Sequence, residues 1–149
     1  MDAVIALAGA LGICLVGGFV PWVNTEAAVV GAALLLPPGF LPVLVLGAAL
    51  AQVFAKGTLY GLARWAPHRM PHKARAQLER VSELALRRRS LGLTVLASSA
   101  FGFPPFYLVT LACGTVALPF RAFLAPALAG SVVRYAVLSL ATVLVRGAA

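Results

Sequence analysis

The chain has 149 residues, of which 62% are hydrophobic and 11% charged, and it carries a net charge of +8. A soluble domain carries about 25% charged residues, so this composition excludes an ordinary water-soluble globule. The mean hydropathy of +0.99 and the long apolar runs predict an all-α, polytopic membrane protein in which residues 1–149 form a single membrane domain.

Three apolar segments are long enough, or nearly so, to cross a bilayer. We predict helices at Ala3–Val23, Leu41–Trp65 and Phe123–Val145, close to the roughly 20 residues that a spanning helix needs. A cleaved signal is the alternative for the first helix, but only Asp2 precedes it, and a signal begins with basic residues. We therefore expect a multi-pass protein of the cell membrane.

A half-length apolar segment, Ala27–Leu36, ends at a break formed by Pro37, Pro38 and Gly39. Ten helical residues extend for about 15 Å, which is half of a bilayer. This pattern is typical of a re-entrant segment, which lipid tolerates where protein or a wet cavity covers the broken backbone. The alternative is one kinked or surface-lying helix, which the doubled proline disfavours.

The second half of the chain repeats this plan. Leu91–Phe101 and Phe106–Leu118 are short apolar segments on either side of Pro104 and Pro105. Broken segments in corresponding halves predict an inverted-repeat transporter, with two re-entrant segments facing each other and a site between them. The match is one of architecture only, because the residues of the two halves are not similar. The alternative is that the two Pro-Pro dipeptides arose by chance.

Basic residues cluster between Arg64 and Arg89, where eight arginines and lysines are accompanied by only two acids, Glu79 and Glu83. This positive-inside pattern predicts that loop 64–89 is cytoplasmic and lies near anionic headgroups. Within it, Lys73–Arg89 has the apolar spacing of a surface helix. Nucleic acid is not expected as a partner, because no aromatic residues interleave with the charges.

Four ionisable residues lie in or beside apolar segments: Glu26, Lys56, Arg121 and Arg134. A charge at membrane depth costs about 2.5–3.5 kcal/mol on insertion scales, so each should be paired, hydrated or functional. Glu26 is expected to cap the first half-helix, and, without excluding that role, to exchange protons or meet a cationic headgroup in a wet cavity. Arg134 either pairs with Glu26 or binds a phosphate, whose oxygens match the guanidinium fork.

A polar stripe follows one face of the Leu41–Trp65 helix. Gln52, Lys56 and Tyr60 recur at intervals of four residues, and Arg64 extends the stripe by one more turn. Such a face suits the wall of a cavity better than contact with lipid. The alternative for Lys56 is snorkelling of its ammonium group to the cytoplasmic side.

These residues resemble the DedA family, also called VTT-domain or SNARE-associated Golgi proteins, over roughly Pro21–Tyr135. Glu26 resembles the acidic residue of that family's first re-entrant segment. Gly57, Tyr60 and Arg64 resemble parts of its Gly-Asp-x-x-x-Tyr-x-x-Gly-Arg signature.

This chain departs from the family pattern at several positions. Lys56 stands where the signature has Asp, Ala63 stands where it has the second Gly, and Phe101–Phe106 lacks the arginines usual in bacterial members. Gly114 matches the glycine that closes the second hairpin. The resemblance to a divergent member implies phospholipid scrambling or import of polyprenyl-phosphate carriers, with proton coupling proposed for the family.

We therefore predict a scramblase-like or flippase-like translocator of phospholipid or polyprenyl-phosphate amphiphiles. Glu26 is the predicted carboxylate, and Arg134 and Arg121 are the predicted headgroup contacts. Gln52, Lys56 and Tyr60 form the predicted cavity wall. A small-solute or drug exporter and a non-transporting membrane scaffold are the alternatives.

An enzyme is not expected, because Ser98 and Ser99 lack a nearby candidate histidine to act as base. The two histidines, His68 and His72, lie in a proline-interrupted loop, which also disfavours a metal site. No cofactor is predicted. The expected partners are membrane lipids, and the sequence is compatible with both a monomer and a homo-oligomer.

Overall fold

The computed structural model describes residues 2–65 and 88–148, and all regular secondary structure within these ranges is helical, as predicted. In chain order the helices are α1 (Asp2–Phe19), α2 (Thr25–Leu35), α3 (Leu41–Trp65), α4 (Arg88–Phe101), α5 (Phe106–Thr115) and α6 (Phe120–Ala148), with a 3₁₀ turn at Pro38–Phe40 before α3. Residues 66–87, which include His68, His72 and most of the predicted surface helix, lie outside the described residues.

Within residues 2–65 and 88–148, three helical segments are long and apolar enough to cross a membrane: α1, Pro38–Trp65 and α6. Their exposed side chains are largely apolar, among them Ile5, Phe54 and Leu144. Contiguous apolar surface of this kind is rare on soluble monomers. The structure therefore agrees with the prediction of a membrane protein, while α2 and α5 are shorter apolar helices.

Proline explains two of the differences between the predicted and the observed helix boundaries. The first helix ends at Phe19 rather than Val23, because Pro21 disfavours the helical conformation of the residue before it. The last helix begins at Phe120 rather than Phe123. Pro119 starts its first turn, where its carbonyl accepts from the backbone N–H groups of Ala122 and Phe123.

The chain divides into two compact units. Unit 1 comprises Met1–Ala55 and Ser131–Ala149, and unit 2 comprises Lys56–Gly130. Helices α3 and α6 therefore each contribute one part to unit 1 and the other part to unit 2.

Unit 1 is held together by small residues. Helix α1 packs against α2, and a Cβ atom at Gly18 would overlap Ala55 of α3. Glycine at such a contact lets helix backbones approach closely without a hydrophobic driving force. At the other end of α2, Arg146 Nη1 donates to Leu34 O at 2.8 Å, which satisfies one of the carbonyls that a helix end leaves without a partner.

In unit 2, too, a glycine lies at a close contact between helices. Helix α4 packs against α5, and a Cβ atom at Gly114 would lie 2.5 Å from Tyr60 O and 2.6 Å from Ala63 Cβ. Ser98 Oγ donates to Pro104 O at 2.5 Å, which ties the proline break to α4. Close backbone packing thus positions the α3 side chains that face α5.

Candidate functional site

The start of α2 brings a carboxylate to the site in unit 1. Asn24 caps the helix, since its Oδ1 accepts from Ala27 N at 3.0 Å. Glu26 lies in the first turn, so the capping role considered for Glu26 belongs to Asn24. The Glu26 carboxylate still lies at the positive end of the helix dipole, where negative charge is favoured.

Arg134 forms an ion pair with Glu26, which is one of the two alternatives considered for Arg134. Arg134 is the middle residue of α6, with 14 residues on either side, so it lies about 21 Å from each end of the helix. A spanning helix places such a residue near the bilayer midplane. The side chains of Arg134 and Glu26 are 26% and 41% exposed, so the pair is reachable from outside the packed core.

A buried hydroxyl network adjoins the ion pair. Tyr135 Oη donates to Thr25 Oγ1 at 3.2 Å, and Gln52 Nε2 donates to the same oxygen at 3.3 Å. Within the described residues, the buried Gln52 Oε1 has no hydrogen-bond partner. Gln52 was a predicted site residue, whereas Thr25 and Tyr135 were not, although each directly adjoins one of the paired charges in the sequence.

In unit 2, Lys56 is buried rather than snorkelled, with 4% of its surface exposed. Its Nζ lies 5.7 Å from the ring centroid of Phe106 and 5.4 Å from that of Tyr107. Ring faces carry negative partial charge, so both contacts stabilise the ammonium group. Sequence reasoning missed these two aromatic partners on α5.

One turn further along α3, Tyr60 and Arg64 share a backbone acceptor. Tyr60 Oη donates to Leu118 O, and Arg64 Nη1 donates to Tyr60 Oη at 2.8 Å and to Leu118 O at 3.4 Å. The Tyr60 ring stacks on Phe123, with centroids 5.1 Å apart. These contacts fix the guanidinium of Arg64 at the end of α3.

An open cleft of about 530 Å³ lies beside this cluster. One face of α3, from Gly57 to Trp65, forms one side, and Pro119 and Phe120 form the other. Arg121 is exposed in the first turn of α6 and does not line the cleft. The structure thus groups Glu26, Gln52 and Arg134 in unit 1, and Lys56, Tyr60 and Arg64 in unit 2.

No protein-family model matches the chain, and neither the curated proteins nor the solved structures give a significant match. The DedA resemblance therefore remains a prediction based on the residues named above.

Proposed function

We propose that the chain is an integral membrane lipid translocator, scramblase-like or flippase-like, for phospholipids or polyprenyl-phosphate amphiphiles. The observation that carries this proposal is the accessible ion pair between Glu26 and Arg134, because Arg134 is the middle residue of a helix that is long enough to span a membrane. A charge pair at that depth is expensive to maintain, and such residues usually mark a transport pathway.

The chemistry of the pair suits a lipid headgroup. A guanidinium offers a planar fork of N–H donors to phosphate oxygens, and a carboxylate attracts the ammonium group of a zwitterionic headgroup. An entering headgroup can therefore replace the Glu26–Arg134 pair with two new ion pairs, one between Arg134 and its phosphate and one between Glu26 and its ammonium group. Thr25 and Tyr135, which adjoin the paired charges in the sequence, are hydrogen-bonded to each other.

The proposal includes the topology predicted from the sequence, with α2 and the Pro104–Pro105 segment as re-entrant parts of an inverted repeat in a divergent DedA-like protein. Helix α2 has 11 residues, about 16 Å, which is too short to cross a bilayer. If α2 is re-entrant, a cysteine at position 22 and one at position 39 will react with a membrane-impermeant maleimide from the same side. Labelling of Gly39→Cys only from the opposite side would contradict it.

Lipid translocation is tested with the purified full chain in liposomes that contain a fluorescent phospholipid in both leaflets. Dithionite bleaches only the outer leaflet of protein-free liposomes, and we expect the chain to expose the inner leaflet as well. Both Glu26→Gln and Arg134→Gln should slow this exchange about tenfold or more, the effect of roughly 1.4 kcal/mol on a barrier.

Arg146→Gln is the matched control, because it removes a guanidinium from the same helix and unit at a position outside the ion pair. If the wild-type chain is folded and dithionite bleaches no more lipid than in protein-free liposomes, lipid translocation is contradicted and a scaffold is favoured. If the chain scrambles lipid and both site variants match the wild type, the assignment of the site is wrong. Release of an encapsulated dye without lipid exchange would favour the exporter.

A further inference from the structure

The cleft in unit 2 has the size and lining of a ligand site. Its volume of about 530 Å³ falls within the range of roughly 300–1,000 Å³ that is typical of small-molecule sites. Gly57 and Gly61 contribute no side chains to the α3 side of the cleft, and Pro119 and Phe120 give it an apolar wall. A Cβ atom at Gly61 would meet no other atom within 4 Å, so this space is open.

Arg64 brings a fixed positive charge to the cleft. Both hydrogen bonds that its side chain makes within the described residues use Nη1, and a guanidinium has five N–H donors. The remaining donors on Nη2 and Nε are therefore suited to the oxygens of an anion. A preformed arginine binds phosphate with charge-assisted, often bidentate hydrogen bonds.

Trp65 places the cleft at the surface of a bilayer. It ends α3, a helix that is long and apolar enough to span a membrane, and 83% of its surface is exposed. Tryptophan at the end of a spanning helix typically lies among the headgroups. The sequence after Trp65 is strongly basic, which favours anionic over zwitterionic lipid at this end of the helix.

We propose that this cleft binds one anionic phospholipid, with its phosphate on Arg64 and its glycerol and upper acyl chain against Trp65 and Phe120. This site involves unit 2 alone and none of the residues of the Glu26–Arg134 site. It goes beyond the proposed translocation and does not depend on it.

The test is a binding titration of the detergent-purified full chain. In a Trp22→Phe background, Trp65 is the only tryptophan and reports on the cleft by its fluorescence. We expect dioctanoyl phosphatidylglycerol to shift the emission to the blue and the shift to saturate. Its half-saturating concentration should be about tenfold lower than that of dioctanoyl phosphatidylcholine. Arg64→Gln should remove this preference, because the two lipids differ mainly in net charge.

Gly61→Leu fills the cleft and should abolish the saturable shift with both lipids. Gly92→Leu is its matched control, because Gly92 is also a helical glycine of unit 2 with open space at its Cβ position. Equal affinity for the two lipids, unchanged binding in Gly61→Leu, or equally tight binding of glycerol phosphate would overturn the proposal. Because no transport is measured, failure here leaves the liposome test unaffected.

Discussion

In unit 1 the guanidinium of Arg134 meets a carboxylate, whereas in unit 2 the ammonium group of Lys56 lies over the rings of Phe106 and Tyr107. Of the four acids in the chain, only Asp2 and Glu26 fall within the described residues, and both belong to unit 1. An ion pair can be exchanged for another ion pair, so it suits a transient ligand. Ring faces and backbone carbonyls belong to the fold itself, so they suit a cation that keeps the same partners throughout.

The largest loss of stability is expected when the ion pair of unit 1 is broken. Arg134→Met keeps most of the side-chain volume but leaves Glu26 without its partner, and at the membrane depth that the proposed topology gives the pair it should destabilise the fold by about 3 kcal/mol. Adding Glu26→Gln removes the unpaired charge and should restore most of this loss. Thermal unfolding of both variants in the same detergent, followed by circular dichroism, measures the difference. Equal melting temperatures for the single and double variants would show that the pair does not hold unit 1.

A smaller effect is expected from the helix contact that positions the cations of unit 2. Gly114→Ala places a methyl group within 2.6 Å of Tyr60 O and Ala63 Cβ, and overpacking of this kind costs about 1–3 kcal/mol. Gly92→Ala, where the added methyl group meets open space, should be neutral or stabilising through its better helix propensity. The same unfolding assay compares the two, and equal melting temperatures would contradict the close contact of α3 with α5.

Sequence reasoning predicted best where the residue type is rare or the boundary is marked by proline. The pairing of Glu26 with Arg134 was predictable because the chain has only four acids. The bounds of α3 were predicted as Leu41–Trp65, as observed, because prolines flank both ends. The re-entrant topology and the roles of Arg121 and the other site residues remain predictions.

The partners of the unit 2 cations were not predictable in the same way. Phe106 and Tyr107 lie in an apolar segment, and the chain has eight Phe and three Tyr residues without a pattern that marks two of them as cation partners. Leu118 contributes only its backbone carbonyl, which carries no sequence signal. Such contacts depend on how helices pack, and packing in this chain is decided by single glycines such as Gly114.

The smallest change in stability is expected for Lys56→Met. Comparing it with Arg134→Met tests directly whether the two units hold their cations differently. Lys56→Met is the same kind of substitution as Arg134→Met, but it leaves no carboxylate of the described part of unit 2 without a partner. Methionine follows the course of the lysine stem and keeps contact with Phe106 and Tyr107 through sulfur–aromatic interactions. The cation–π attraction lost at the two rings is offset by the removal of a desolvated charge, so this exchange by itself should change stability by less than about 1 kcal/mol. A loss as large as that of Arg134→Met would show that Lys56 is balanced by an anionic group, and the contrast between the units would then be wrong.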